Sequence, residues 1–185
     1  MAGGDAPARE IYVQPGESHL VNEPAVLRTV LGSCVGVTFL APRLGVGALC
    51  HPMMPQCPPA RSSEMSVAAG RRYVDFAIRE MAGLLERQGA RRGEIIVKLF
   101  GGNDVLTTGA LAPERTIGKL NSQEALRVLA EEGFSVAASC LGGDAGVYIT
   151  FDTLTGDVLL RRLDSSLRDR AQKTARTARR RHGAG

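Results

Sequence analysis

Two short apolar runs, Val35–Leu40 and Val46–Cys50, are separated only by Ala-Pro-Arg-Leu-Gly, and this pair constrains the fold more than any other stretch. Each run is too short for a helix, and the proline and glycine between them force a reversal. The pattern predicts a β-hairpin with a loop of roughly five residues. With the turn centred near Pro42 and Arg43, facing residues have numbers that sum to about 85, which sets Cys34 across from His51 at the open end. Directly opposed residues have Cβ atoms about 4.5–5.5 Å apart, close enough for a thiol to reach an imidazole. A slip of one residue would turn one of the two side chains to the other face.

A thiol beside an imidazole is a nucleophile beside a base. The imidazole can take the thiol proton, and the resulting ion pair stabilises the thiolate. Attack on a carbonyl then needs donors for the developing oxyanion, and Gly32-Ser33-Cys34 supplies backbone N–H groups with no side chain on Gly32 to block them. Of the three histidines, His19 lies near the N-terminus and His182 in the tail, so only His51 falls within the predicted fold. Cys50 points to the opposite strand face from His51, and Cys57 lies in a proline loop. A cysteine on an apolar strand is also a common small core residue, and spacing alone leaves that alternative open. Zinc held by Cys50, His51 and Cys57 lacks the usual ligand spacing, so no metal or cofactor is expected. The four cysteines, with no CxxC pair among them, are expected to be reduced thiols.

The rest of the chain alternates strands and helices. A short strand is expected at Ile11–Val13. Residues 52–61, with four prolines, exclude regular structure. A helix capped by Ser62 or Ser63 carries Met65, Tyr73, Val74, Ala77, Ile78, Met81, Leu84 and Leu85 at helical spacing and ends near Gln88-Gly89. Glu94–Phe100 is a strand closing on Gly101-Gly102. Asn121-Ser-Gln-Glu124 reads as a capping box opening a second helix. Phe134–Cys140 is a strand closing on Gly142-Gly143, and Gly146–Phe151 with Asp157–Arg161 forms a last hairpin. Neither Gly-Gly pair has the Lys-Ser/Thr of a P-loop, so tight turns or close backbone approach explain the glycines better than phosphate binding. Hairpins mixed with helices give an α+β class with a mixed or antiparallel sheet.

Charge divides the 185 residues into a domain over 1–162 and a basic tail over 163–185. Residues 161–185 hold nine Lys/Arg against Asp164 and Asp169, a net +7 that leaves −3 on the remainder. Almost nothing in the tail can be buried, so it is expected to be solvated and dispensable for folding, or to dock on an acidic partner. Aromatics at 4%, with no tryptophan, argue against nucleic-acid binding by base stacking. No apolar run is long enough to span a membrane, and the N-terminus lacks a secretory signal pattern, so a cytoplasmic location is expected.

At these residues the chain resembles the CheD family of chemoreceptor glutamine deamidases. The resemblance rests on Leu31-Gly32-Ser33-Cys34-Val35, Gly47 to His51, Met53-Met54-Pro55 and Tyr73-Val74-Asp75. It continues through Lys98-Leu99-Phe100-Gly101-Gly102, Ile117-Gly118, Asn121, Gly142-Gly143 and Thr155-Gly156, covering roughly residues 10–162. It implies a β-sandwich-like core with flanking helices, similar to cytotoxic-necrotising-factor catalytic domains. It also implies hydrolysis of glutamine side-chain amides in methyl-accepting chemotaxis receptors, some members also cleaving glutamate methyl esters. Cys34 would attack the amide and His51 would be base and then acid. Gly32 and Ser33 would give backbone support, and Gly101, Gly102, Gly142 and Gly143 would form loops near the site. A CheC-like phosphatase is the implied protein partner.

The chain departs from the family pattern at several places. A hydroxyl residue that orients the histidine is usual six positions before the cysteine. That position is Arg28, and Thr29 stands one residue closer. Leu120 replaces an arginine, Cys140 an acidic residue, and the Ala145-Gly146-Val147 stretch lacks a further arginine. These departures motivate an alternative: a CheD-like binding module, catalytically weak or inactive, that regulates a chemotaxis phosphatase or a receptor array.

Overall fold

The hairpin lies at the centre of the protein. In the computed structural model, which describes residues 9–58, 65–104 and 116–163, strand β4 (Val35–Ala41) is buried at all seven positions and β5 (Val46–Cys50) at all five. A strand buried on both faces must have a layer on each side, and it does. The hairpin belongs to a five-stranded sheet in the order β2-β5-β4-β6-β7, where β2 is Ser18–Val21, β6 Ile96–Gly101 and β7 Val136–Leu141. Val35, Val37, Phe39 and Ala41 of β4 pack with helices α2 (Val74–Arg87) and α3 (Ile117–Glu131). Leu40, Leu49 and Phe100 face the other way, onto a four-stranded sheet.

That second sheet runs β1-β3-β8-β9, with β1 at Arg9–Tyr12, β3 at Ala25–Leu31, β8 at Val147–Asp152 and β9 at Val158–Arg162. Ala25, Leu27, Leu31, Val147, Ile149 and Phe151 fill the space between the sheets. Both sheets are mixed: β1–β3 and β6–β7 are parallel and the other pairs antiparallel. The architecture is α+β, a sheet-on-sheet sandwich backed by helices. Among the described residues no helix is long and apolar enough to cross a membrane.

Several elements differ from the sequence reading. The hairpin pairs Ala41 with Val46 and Val37 with Cys50, so facing numbers sum to 87. The loop is a 3-10 turn, Pro42–Leu44, closed by Gly45 at φ 64° whose N–H donates to the Pro42 carbonyl. One residue fewer in the loop and a later centre move the register by two. His51 therefore falls opposite Gly36 rather than Cys34. A two-residue offset preserves the strand period, so the face assignment survives where the pairing does not.

The helix expected from Met65 onward is two pieces, α1 (Val67–Gly70) and α2. Tyr73 between them is extended and bridges Met54. The Met53 and Met54 N–H groups both donate to the Arg72 carbonyl, at 2.8 and 3.0 Å. The proposed caps Ser62 and Ser63 lie outside the described residues. Helix α3 starts at Ile117, capped by Thr116, so Asn121-Ser-Gln-Glu124 is helix interior and not a capping box. Strands β2 and β3 add to the elements expected from the sequence. Strand β6 starts two residues after Glu94, which instead ends a 3-10 turn at Arg92–Glu94 and pairs with Arg43 at 2.7 Å. Beyond Leu163 the basic tail lies outside the described residues.

The T-shaped contact of Phe39 with Phe134, centroids 5.8 Å apart, ties β4 to the helix layer. Phe39→Ala should lower unfolding stability by about 3–5 kcal/mol in a urea titration. Leu159→Ala, on a residue 72% exposed, should change it by less than about 0.5 kcal/mol.

Candidate active site

His51 follows directly on β5. Strand alternation puts Cys50 among the residues packed on the helices and His51 on the side of Leu49, between the sheets. There it is 1% exposed. Its partner comes from the opposite sheet: Thr29 Oγ1 on β3 lies 2.8 Å from His51 Nδ1. The Thr29 hydroxyl has one proton and donates it to the Val13 carbonyl at 2.7 Å, and Nδ1 is itself 3.4 Å from that carbonyl. Two acceptors facing Nδ1 require that Nδ1 carry the hydrogen, so the lone pair resides on Nε2. Nε2 is buried with no hydrogen-bond partner among the described residues. Backbone bonds fix the ring's base: His51 N–H donates to Glu17 O at 2.9 Å, and Gly16 N–H donates to His51 O at 2.7 Å.

Arg28, six before Cys34, faces outward from the sandwich and binds Glu10 through two hydrogen bonds of 2.7 Å. The strand period of two gives the inward position to Thr29 instead.

Cys34 is half-buried one residue before β4 and packs against the inter-sheet cluster that contains Leu31 and Phe100. The loop that carries it is held by its carbonyls. Gly32 O accepts from Asn103 N–H at 2.8 Å, Ser33 O from the Asn121 side-chain amide at 2.8 Å, and Cys34 O from Gly102 N–H at 2.8 Å. Gly101, at φ 95°, has no room for a side chain, since a Cβ would lie 2.4 Å from Cys34 O. The second Gly-Gly pair joins the same region from β7: Gly142 N–H donates to Gly101 O, and Gly143 O accepts from Asp104 N–H. The structure thus gathers Gly32, Ser33, Cys34, Gly101, Gly102, Gly142 and Gly143 around one loop cluster, with Thr29 and His51 in direct contact in the neighbouring inter-sheet space. The alternative zinc set is not assembled: Cys50 points to the helices, and no cluster of three metal-ligating side chains occurs among the described residues.

The electrostatics oppose a preformed ion pair. Burial pushes the Cys34 thiol above its ordinary range, and contact with its own backbone N–H only partly offsets this. Burial pushes His51 down to about 4 against the smaller opposing pulls of the Val13 carbonyl and the Glu17 carboxylate. These directions favour a neutral thiol and a neutral imidazole over the thiolate–imidazolium pair expected from the sequence.

Asn121 has a larger part here than the sequence reading gave it. Its side chain is fully buried and donates to Ser33 O at 2.8 Å and to Met53 O at 2.9 Å, joining the chain just before Cys34 to the chain just after His51. An asparagine inside a helix is disfavoured by propensity, and that misfit was the available signal.

A sandwich of two mixed sheets backed by helices, with a half-buried cysteine at the mouth of its central hairpin and a buried, threonine-held histidine, defines the class. Residues 53–162 match the family description "CheD chemotactic sensory transduction". A Geobacter sulfurreducens protein named "Probable chemoreceptor glutamine deamidase CheD 2" is 40% identical over 86% of this chain and 93% of its own length. A Maridesulfovibrio salexigens protein named "Probable chemoreceptor glutamine deamidase CheD" is 31% identical over 90% of this chain and 99% of its own. Among solved structures, YlmD from Geobacillus stearothermophilus aligns with a TM-score of 0.41 and 19% identity over 68% of this chain and 50% of its own. The chain belongs to the CheD family. The family match begins two residues after His51, so Thr29, Cys34 and His51 rest on the geometry above.

Because the folded pKa of His51 lies below its unfolded value, the unfolded chain takes the proton first as pH falls. Stability from this group is intact above about pH 6.5 and is lost progressively down to about pH 4, by about 3 kcal/mol in all. Urea titrations at pH 7, 5.5 and 4 should show this loss in wild type beyond that in His51→Gln.

Proposed function

We propose that this protein deamidates glutamine side chains in the cytoplasmic domains of methyl-accepting chemotaxis receptors, with Cys34 as nucleophile and His51 as base. The observation that carries the reading is the buried His51 ring, held at Nδ1 by Thr29, with Nε2 unpartnered among the described residues on the side of the sandwich where Cys34 packs. The relatives' names supply the substrate class.

The chemistry runs as acyl transfer. The Cys34 sulfur attacks the amide carbon as its proton passes to His51 Nε2, and the carbonyl oxygen becomes an oxyanion facing the Ser33 and Cys34 N–H groups. Collapse breaks the C–N bond, and the Nε2 proton goes to the leaving nitrogen, giving ammonia and a thioester. Water, deprotonated by Nε2, attacks the thioester. The C–S bond breaks, the thiol regains its proton, and glutamate leaves. Thr29 holds the imidazole in one tautomer throughout. Glutamate methyl esters fit the same path with methanol as leaving group. Docking of a CheC-like phosphatase belongs to this reading as well.

A base whose pKa is pushed down to about 4 stays competent far below pH 6.5, so the acid limb of kcat/KM should lie nearer pH 4 than 6.5. Incubated with a receptor cytoplasmic domain, wild type should add about 1 Da per modified glutamine by mass spectrometry, as replacement of amide by carboxyl requires. Cys34→Ala should add none, and His51→Ala should slow the gain by about 10²-fold or more. Equal spectra from wild type and Cys34→Ala would sink the assignment. Thr29→Val should lower kcat while Thr29→Ser retains it.

A further inference from the structure

We propose that Asn121 is a positioning residue that aims the Cys34 backbone N–H at the oxyanion, an inference that rests on the nucleophile assigned above. The β4–β6 ladder pairs Val35 with Gly101, and its next step would pair Cys34 with Gly102, each bonding the other's carbonyl. Half of that pair forms: Gly102 N–H donates to Cys34 O. The other half does not. Gly102 is left-handed at φ 62°, which turns its carbonyl toward α3, where a Cβ on Gly118 would sit 2.6 Å from it. The Cys34 N–H thereby loses its ladder acceptor, and neither it nor the Ser33 N–H donates to another backbone carbonyl among the described residues.

The direction of these free donors is set by the carbonyls behind them. In a planar trans peptide the C=O and N–H point in opposite directions. Anchoring Ser33 O on the Asn121 amide therefore aims the Cys34 N–H away from α3, and anchoring Gly32 O on Asn103 N–H does the same for Ser33. The Cys34 N–H belongs to the residue that carries the attacking sulfur, where an oxyanion donor is needed. Asn121 is the one side chain among these anchors. It is fully buried, it commits both N–H groups to the two arms of the site, and its own Oδ1 has no partner among the described residues. A burial that leaves an acceptor orphaned is unfavourable, which marks a residue kept for its donors.

The test compares two reactions at Cys34 in the full chain, read by peptide mass spectrometry. Alkylation by iodoacetamide displaces iodide at a saturated carbon and forms no oxyanion. Acylation by p-nitrophenyl acetate passes through a tetrahedral oxyanion and expels p-nitrophenolate. Asn121→Ala should lower acylation about 10²-fold while alkylation changes by less than about 3-fold. In the receptor assay kcat should fall similarly with KM nearly unchanged. Leu120→Ala, on the adjacent exposed residue, should alter neither. Equal slowing of both reactions, or of neither, would overturn the proposal. Should Asn121→Ala fail to fold, wild type treated with a glutaminal peptide, whose aldehyde adds to the thiol, decides by NMR. The Ser33 and Cys34 amide protons must move downfield, and unmoved resonances would overturn it. A wild type that acylates readily yet never deamidates a receptor would sink the receptor reading and leave this one standing.

Discussion

The β4–β5 hairpin can be apolar on both faces only because it is covered on both. Helices α2 and α3 take one face and the four-stranded sheet takes the other. Everything at the site follows from that double cover. The alternation that sends Cys50 to the helices sends His51 between the sheets, where the opposing strand can meet it. Thr29 does so because β3 places every second residue inward. A histidine at the end of an edge strand, or on a one-layer sheet, would be wet, and its ring would lack a partner from the opposite layer. Burial here lowers its pKa and fixes its tautomer in one step.

The glycines do complementary work at the strand ends. A regular ladder satisfies every backbone N–H it can reach, and a site that needs free N–H groups must interrupt one. Gly101 and Gly102 make that interruption with positive φ angles that larger residues rarely adopt, and Gly118 clears the space the Gly102 carbonyl enters. The phosphate-cradle alternative is replaced by this more local purpose. Asn121 then ties the interrupted loop to the chain after His51 through Ser33 O and Met53 O.

Much of this was legible in the sequence, and the failures have physical causes. The hairpin, the α+β class, the glycine stops at Gly89 and Gly133 and the last hairpin follow from runs bounded by turn residues. Strand β3 was hidden because Val26 and Val30 face outward, which blurs the alternation that marks a half-buried strand. The register differs by two because a 3-10 turn with a left-handed glycine takes four residues where the composition suggests five, and because its centre lies later than Pro42–Arg43. The capping box at Asn121 failed through tertiary override: the same side chain that can cap a helix was already committed to Ser33 O and Met53 O. Thr29 was placed only through a resemblance displaced by one residue. Alternation along β3 would have favoured it over Arg28, had that strand been found.

The pKa directions shift the weight of catalysis within the proposed mechanism. A thiol pushed up and an imidazole pushed down hold the proton on sulfur until the electrophile arrives. A dyad that stores a thiolate is reactive toward any electrophile, whereas a neutral pair transfers its proton only as the S–C bond forms. The charge that must then be stabilised is the one on the carbonyl oxygen, in a half-buried place where water contributes little. Fixed N–H donors are worth most under those conditions, because they need no reorganisation as charge develops. Burial thus weakens the base while leaving the work of charge stabilisation to fixed donors at the carbonyl oxygen.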